Sequence, residues 1–310
     1  MDDASELSIV IPLFNEEANI GDLFAGLNSM RSLLPDRTEV ILVDDGSSDK
    51  TLLELAARTL DYPKTVLSLS RNFGHQSAVL AGLEASRGQH VVTMDGDLQH
   101  PPEMIPEMLV QHRKGIDIVV MQRVDDDVAS PFKKMTARAF YALINTLSDT
   151  KIAFNASDFR SMNRQALREL LALPERRKFL RGMVPWIGFS SVTLAYSVRP
   201  RRHGRSKYSL AKMIRLALSG ITSFTAFPLY LAGLFSLMLF ICAVCYAAYV
   251  IYIKYIAGTA VSGWASVLFV LLLIGGFLSL FLGLLGVYVA AIYDEVKQRP
   301  NYIVRSGRKP

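Results

Sequence analysis

The sequence predicts an α/β protein with a doubly wound, mostly parallel sheet, followed by an interfacial helix and two transmembrane helices. Three observations carry this. Short β-branched runs alternate with helical patterns through the first 200 residues, polar clusters recur where those runs end, and Lys254 is the only charged side chain between Arg215 and Asp294.

Leu7–Ile11, Val40–Val43, Thr65–Leu69 and His90–Met94 read as strands. Between the first two, Ile20, Leu23, Phe24, Leu27 and Leu34 recur at helical spacing, and between the last two Val79 to Ala85 fits a helix. Such an order builds a parallel sheet, and ligands then bind beyond the carboxyl ends of its strands.

The two uncharged stretches flanking Lys254 each exceed the roughly 20 apolar residues that cross a bilayer. They place spans near Pro228–Ile253 and Ala265–Ile292. Lys207, Lys212 and Arg215 precede the first, and Lys297, Arg299, Arg305, Arg308 and Lys309 follow the second. An excess of basic residues on both flanks predicts cytoplasmic termini. No basic-then-apolar leader pattern opens the chain, so the mixed first 200 residues are expected in the cytosol. From Leu210, the residues Met213, Ile214, Ala217, Leu218 and Ile221 form an apolar stripe opposite Lys212, Arg215, Ser219 and Thr222, as expected of a helix lying in the interface. The expected organisation is therefore a cytosolic domain over 1–208, an interfacial helix over 209–226, a transmembrane hairpin over 227–293 and a basic tail over 294–310.

A formal net charge of +6 suits anionic lipid head groups and phosphorylated substrates, and the positive-inside rule alone also explains it. The two cysteines, Cys242 and Cys245, have redox or metal spacing but lie inside the first span, where small apolar packing is the better reading. The five histidines show no ligand spacing. Gly275, Ser279 and Gly283 repeat every fourth residue in the second span, compatible with hairpin packing or with association of copies.

The polar clusters hold the candidate chemistry. The first strand runs into Pro12-Leu13-Phe14-Asn15-Glu16-Glu17 and the second into Asp44-Asp45-Gly46-Ser47-Ser48-Asp49. Ser48 and Asp49 read as a turn and helix cap, whereas Asp44 ends a buried strand, where a carboxylate needs a partner. The fourth strand ends in Met94-Asp95-Gly96-Asp97-Leu98-Gln99. Two carboxylates two residues apart on a loop, with an amide oxygen beside them, are the donor set Mg²⁺ or Mn²⁺ prefers.

Taken together, Ser8-Ile9-Val10-Ile11-Pro12, Val43-Asp44-Asp45-Gly46-Ser47, Ser70-Arg71-Asn72-Phe73-Gly74, Asp95-Gly96-Asp97-Leu98-Gln99-His100-Pro101-Pro102, Ser157-Asp158-Phe159-Arg160 and Arg201-x-x-Gly204-x-Ser206-Lys207-Tyr208 resemble the polyprenyl-phosphate glycosyltransferases. That group includes the dolichyl-phosphate mannosyltransferases and the bacterial undecaprenyl-phosphate glucosyltransferases. The resemblance implies an inverting GT-A fold. By motif, it assigns Pro12, Phe14, Glu16 and Asp44 to the nucleoside, and Asp95, Asp97 and Gln99 to a metal, Mg²⁺ or Mn²⁺, that bridges the diphosphate. It also assigns Gly96, Arg123, Arg201 and Lys207 to the nucleotide sugar, and Asp158 and Arg160 to the catalytic centre. Arg201 and Lys207 also read as juxtamembrane basic residues.

Two departures stand out. Asn155-Ala156-Ser157-Asp158-Phe159-Arg160 replaces the group's frequent Asp-x-Gly-Asp-Phe-Arg, retaining Asp158 and Arg160. Where the group often has a small hydroxyl near the acceptor phosphate, Lys134 and Arg138 are the available cations.

The implied reaction moves a hexose from a nucleotide diphosphate sugar onto a polyprenyl phosphate. A lipid monophosphate with a second pKa of about 6 is already ionised at neutral pH and needs no strong base. Asp158 is then expected to orient acceptor or sugar, with a role as base or simple pairing with Arg160 left open. A processive polysaccharide synthase shares the sheet and paired aspartates but carries Gln-x-x-Arg-Trp and more spans, and an inactive lipid-sugar subunit would not need the metal triplet. UDP-glucose is the first choice of donor, with GDP-mannose, UDP-N-acetylhexosamine and UDP-4-amino-arabinose behind it. The expected partners are that donor, the polyprenyl phosphate, membrane lipids and a second copy of the chain, without nucleic acid, at the inner membrane.

Overall fold

A computed structural model describes residues 5–124, 156–175, 178, 180–197, 227–252, 255–256 and 263–306. The sequence candidates Lys134, Arg138, Arg201 and Lys207, the interfacial helix over 209–226 and the hairpin residue Lys254 lie outside them. The chain divides into two compact units, one from residues 1–208 together with 299–310 and the other from 209–298.

In the first unit the described elements run β1 (Leu7–Leu13), α1 (Ile20–Asn28), β2 (Thr38–Asp44), α2 (Thr51–Ala57), β3 (Lys64–Leu69), α3 (His75–Ala85) and β4 (His90–Thr93). A short 3₁₀ turn at Pro102–Met104 then leads into α4 (Ile105–Arg113) and β5 (Ile118–Arg123). β6 (Ala156–Asn163), α5 (Arg164–Ala172), α6 (Leu180–Trp186), β7 (Ser191–Tyr196) and a last strand, β8 (Val304–Ser306), complete the unit. The strands form one eight-stranded sheet in the order β7-β5-β6-β4-β1-β2-β3-β8.

Every residue of β1 is buried, as a central strand covered on both faces requires. β1 pairs in parallel with β2 and β4, and β2 with β3. Pro12, which has no N–H to give a ladder, lies past the last β1–β4 pair, Val10 with Thr93. α3 approaches this strand so closely that a Cβ on Gly82 would stand 2.2 Å from Val10 Cγ1. α1 buries Ile20, Leu23, Phe24 and Leu27 but stops at Asn28, and Leu34 reaches the core from the following turns instead of from the helix. α3 begins at His75, a turn before the apolar run starting at Val79, because Gly74 at φ 98° turns the chain into the helix there.

The sheet is mixed. β6 runs antiparallel to both β4 and β5, and β8 antiparallel to β3. Neither reversal follows from apolar periodicity, which is blind to strand direction. β8 comes from the end of the chain expected to be a basic tail. There the Ser70 N–H donates to the Ile303 carbonyl (2.8 Å) and the Tyr302 hydroxyl donates to Glu84 of α3.

The second unit contributes α7 (Phe227–Tyr252) and α8 (Trp264–Val296). Within α8, Leu273–Val296 is 24 residues with mean hydropathy 2.2, long and apolar enough to cross a membrane, and α7 carries a shorter apolar stretch at Ala232–Tyr246. The two helices meet through the rings of Phe235 and Phe277, with centroids 4.6 Å apart. A Cβ added at Gly275 or Gly283 would meet nothing within 4 Å, so among the described residues this stripe is not where α8 packs on α7.

Candidate active site

Because β1, β2 and β4 are parallel, their carboxyl ends open on one edge of the sheet, and β5, antiparallel to an antiparallel neighbour, ends there too. β6 starts at that edge. Its register with β4 pairs Thr93 with Arg160, so the same ladder continued sets Asp158 level with Asp95. Strand pairing thus brings together two motifs 63 residues apart in sequence.

The loops after β1 and β2 interlace. Asn15, at φ 54°, donates its N–H to Ser47 Oγ (2.9 Å) and accepts the Ser48 N–H on Oδ1 (2.9 Å). The Glu16 N–H donates to Thr51 Oγ1 (2.8 Å), and the Lys50 N–H to Glu17 Oε2 (2.9 Å). Asp44, buried at the end of β2, accepts the Ser47 N–H on Oδ1 (3.1 Å) and the Ser68 hydroxyl on Oδ2 (3.2 Å). The buried carboxylate that called for a partner therefore has two within the fold.

Asp45, part of the Val43–Ser47 motif but given no role there, anchors the next loop. Its two oxygens accept the N–H groups of Phe73 (2.8 Å) and Gly74 (2.9 Å). Burial pushes its carboxyl upward against these donors. Gly46 sits beneath the same loop at φ +66°, and a Cβ there would come within 2.4 Å of the Arg71 carbonyl carbon, so only glycine fits.

At the end of β4 the chain turns through Leu98 at φ 63°. Asp97 Oδ1 accepts the Gln99 N–H (3.2 Å), and Gln99 Oε1 accepts from Arg123 Nη2 (3.0 Å), which places Arg123 beside the acidic loop. Gly96 lies against the end of β1, where a Cβ would be 2.2 Å from Leu13 Cδ2. The Asp95 side chain is 35% exposed. Among the described residues no group of three or more His, Cys, Asp or Glu side chains has the arrangement of a metal site. Asp95, Asp97 and Gln99 follow one another on one turn and carry oxygen donors of the kind a hard cation takes.

Two histidines missed at the sequence level frame Asp95. The Asp95 N–H donates to His100 Nδ1 (2.9 Å), which leaves the proton on Nε2, 2.9 Å from Ser157 Oγ and 3.6 Å from Asp95 Oδ2. Burial holds His100 below the usual imidazole range, and its ring stacks on Phe159 at 5.0 Å. His75, the first residue of α3, places Nε2 3.7 Å from Asp95 Oδ1 and 3.4 Å from Asp158 Oδ2. Burial lowers its pKa, but the hydrogen bond to Asp158 and the charge of Asp95 outweigh this and raise it. The available signal was its position directly after the Ser70–Gly74 motif.

Asp158 is the hub. Oδ1 receives Arg160 Nη2 at 2.6 Å and Arg181 Nε at 3.1 Å, and Oδ2 receives Arg181 Nη2 at 2.8 Å. Burial pushes this carboxyl up, yet the His75 hydrogen bond and the charges of Arg160 and Arg181 hold it well below the usual carboxylate range. Arg160 is buried and also donates to the Leu180 carbonyl (3.2 Å). Arg181, absent from the sequence reading because no motif flanks it, is brought in by α6.

The described candidates Pro12, Phe14, Glu16, Asp44, Asp95, Gly96, Asp97, Gln99, Arg123, Asp158 and Arg160 thus lie at one edge of one sheet. Residues 8–171 match the model of the family described as glycosyl transferase family 2. The chain belongs to glycosyl transferase family 2. It is similar to the uncharacterized glycosyltransferase YkcC of Bacillus subtilis, with 36% identity over 97% of this chain and 94% of that one. It is also similar to the SfII prophage-derived bactoprenol glucosyl transferase of Shigella flexneri, with 36% identity over 98% of this chain and 99% of that one. Among solved structures a mycobacterial protein shares the fold at TM-score 0.50 and 19% identity, covering 71% of this chain and 74% of its own. This family 2 enzyme has a GT-A-like α/β fold with a mixed sheet, and its motif resemblance to bacterial undecaprenyl-phosphate glucosyltransferases extends along nearly the whole chain.

Proposed function

We propose that this family 2 transferase moves a hexose, with UDP-glucose the first choice of donor, onto undecaprenyl or another polyprenyl phosphate with inversion at the anomeric carbon. The observation that carries this reading is the junction of the Asp95–Gln99 loop with the Asp158–Arg160–Arg181 cluster through His75. An acidic oxygen set and a cation-rich cluster side by side suit two phosphorylated substrates flanking one sugar. The names of the bactoprenol glucosyl transferase relatives support the lipid acceptor.

Asp95, Asp97 and Gln99 would hold Mg²⁺ or Mn²⁺, which when bound stabilises charge on the departing nucleotide diphosphate. Arg123, at Gln99, adds positive charge beside that group. Pro12, Phe14, Glu16 and Asp44 form the floor for base and ribose, with Arg201 and Lys207 assigned to the donor phosphates and Lys134 and Arg138 to the acceptor. Asp158, carrying two guanidinium neighbours, a hydrogen bond from His75 and a depressed pKa, is suited to orient groups and poorly suited to take a proton near neutral pH. The lipid phosphate, already anionic, attacks without it.

Two membrane spans and cytoplasmic termini belong to the same proposal. β8 follows α8 in the chain yet lies in the sheet that begins with β1, so the number of crossings between them is even. With Leu273–Val296 as one span, α7, whose apolar stretch Ala232–Tyr246 is shorter, is the candidate for the second.

The test is release of nucleotide diphosphate and formation of lipid-linked sugar by the detergent-purified chain given undecaprenyl phosphate and a panel of nucleotide sugars. We expect turnover with a UDP-hexose, its loss in a chelator, and a fall of about 10²-fold or more for Asp97→Asn. Full activity in the chelator would remove the metal from the reading.

A further inference from the structure

We propose that Arg181 is a further residue that receives the phosphate of the acceptor lipid, sharing its guanidinium between Asp158 and the substrate. This rests on the proposed transfer to a polyprenyl phosphate. The argument is one of charge and access. Asp158 is a single carboxylate, and Arg160, buried and tied to the Leu180 carbonyl, already supplies it with one opposite charge whose place the fold sets. Arg181 grips the same carboxylate through both Nε and Nη2, a second guanidinium on a carboxylate that already has one. Of the two it is the more accessible: the Arg181 side chain is 29% exposed, against 6% for Arg160.

A planar guanidinium presents paired donors that match a phosphate as well as a carboxylate, so an arriving phosphate can take one edge while Asp158 keeps another. Position selects which phosphate. Through successive side-chain contacts the order is Asp95, His75, Asp158, Arg181, with Arg123 back at Gln99. The departing diphosphate belongs with the Asp95–Gln99 oxygens. An inverting transfer brings the nucleophile to the opposite face of the sugar, and Arg181 stands one imidazole and one carboxylate away from that loop.

The experiment uses the full chain in neutral detergent, with Arg181→Gln and Arg181→Lys. Undecaprenyl phosphate is titrated at saturating nucleotide sugar, with nucleotide-sugar binding and thermal unfolding recorded in parallel. We expect Arg181→Gln to raise the apparent KM for undecaprenyl phosphate about tenfold or more, with Arg181→Lys recovering part of the loss and nucleotide-sugar affinity unchanged in both. Undecaprenol, which lacks the phosphate, should compete equally weakly against wild type and variants. An unchanged acceptor KM overturns the proposal. So does a fall of nucleotide-sugar affinity at constant acceptor KM, which would give Arg181 to the donor diphosphate, or a joint loss of both affinities and of thermal stability, which would make it a clamp on Asp158. Should the glutamine variant fail to fold, the lysine variant decides by the same split between acceptor and donor. Failure of the reaction reading itself is separate, since wild type would then release no nucleotide diphosphate with undecaprenyl phosphate.

Discussion

His112 shows how a single side chain ties this protein's stability to pH. Its Nδ1–H donates to the Ile116 carbonyl (2.7 Å), which leaves Nε2 to accept the Ser161 hydroxyl (2.8 Å), and the His90 ring lies 4.6 Å away. Burial lowers both imidazole pKa values, and although Glu6 and Asp117 pull them up, Arg113 and His90 itself push down. A histidine whose folded pKa is depressed contributes stability above its unfolded value of about 6.5, lost as pH falls through the folded value. The thermal midpoint should therefore fall by roughly a few degrees between about pH 7.5 and pH 5.5, and less in His112→Gln, whose amide cannot charge. Equal acid sensitivity in the two proteins would remove His112 as the cause. His75, raised instead of lowered, works in the opposite direction at the other end of the sheet.

At the scale of elements, the last strand is the least expected contribution. β8 pairs with the part of β3 that leads into the Ser70–Gly74 loop, and Ser68 of that strand holds Asp44 through its hydroxyl. Tyr302 meanwhile reaches Glu84 on α3, the helix that carries His75. The same short segment thus braces both the strand that holds Asp44 and the helix that carries His75. Deleting the chain from Asn301 onward leaves the Ser70 N–H without the Ile303 carbonyl and opens β3 as a sheet edge. The KM for the nucleotide sugar should rise several-fold, with the lipid acceptor KM changed less. Equal KM values for truncated and full chains would show that β8 only covers an edge.

For the whole molecule, the decisive question is on which side of the membrane each segment lies. In the proposed hairpin, the return of β8 to the sheet puts both termini on one side, and the excess of Lys and Arg at both flanks makes that side the cytoplasm. In a chain whose Cys242 and Cys245 are replaced by alanine, a cysteine at Gly258 should react with an impermeant thiol reagent applied to intact cells. One at the exposed Arg305 should react only after the membrane is opened. Labelling at Arg305 in intact cells would invert the orientation, and labelling at both positions would break the hairpin.

The sequence by itself determined what depends on neighbours along the chain. Alternating apolar runs located β1 to β4, because a strand buried on both faces needs an unbroken apolar stretch. The Asp95–Gln99 motif was legible because its residues are neighbours along the chain, and the motif order was enough to indicate the family. Strand direction, the mixed sheet and the return of β8 were not legible, since period-two patterning is the same for either direction and carries no partner. For the same reason only tertiary structure could set Asp158 level with Asp95, bring His75 between them and place Arg181 on the same carboxylate. Those contacts join residues far apart in sequence, and the charge balance of the site, with Asp95 and Asp158 facing His75 and Asp158 facing two guanidinium groups, exists only once the sheet has aligned them.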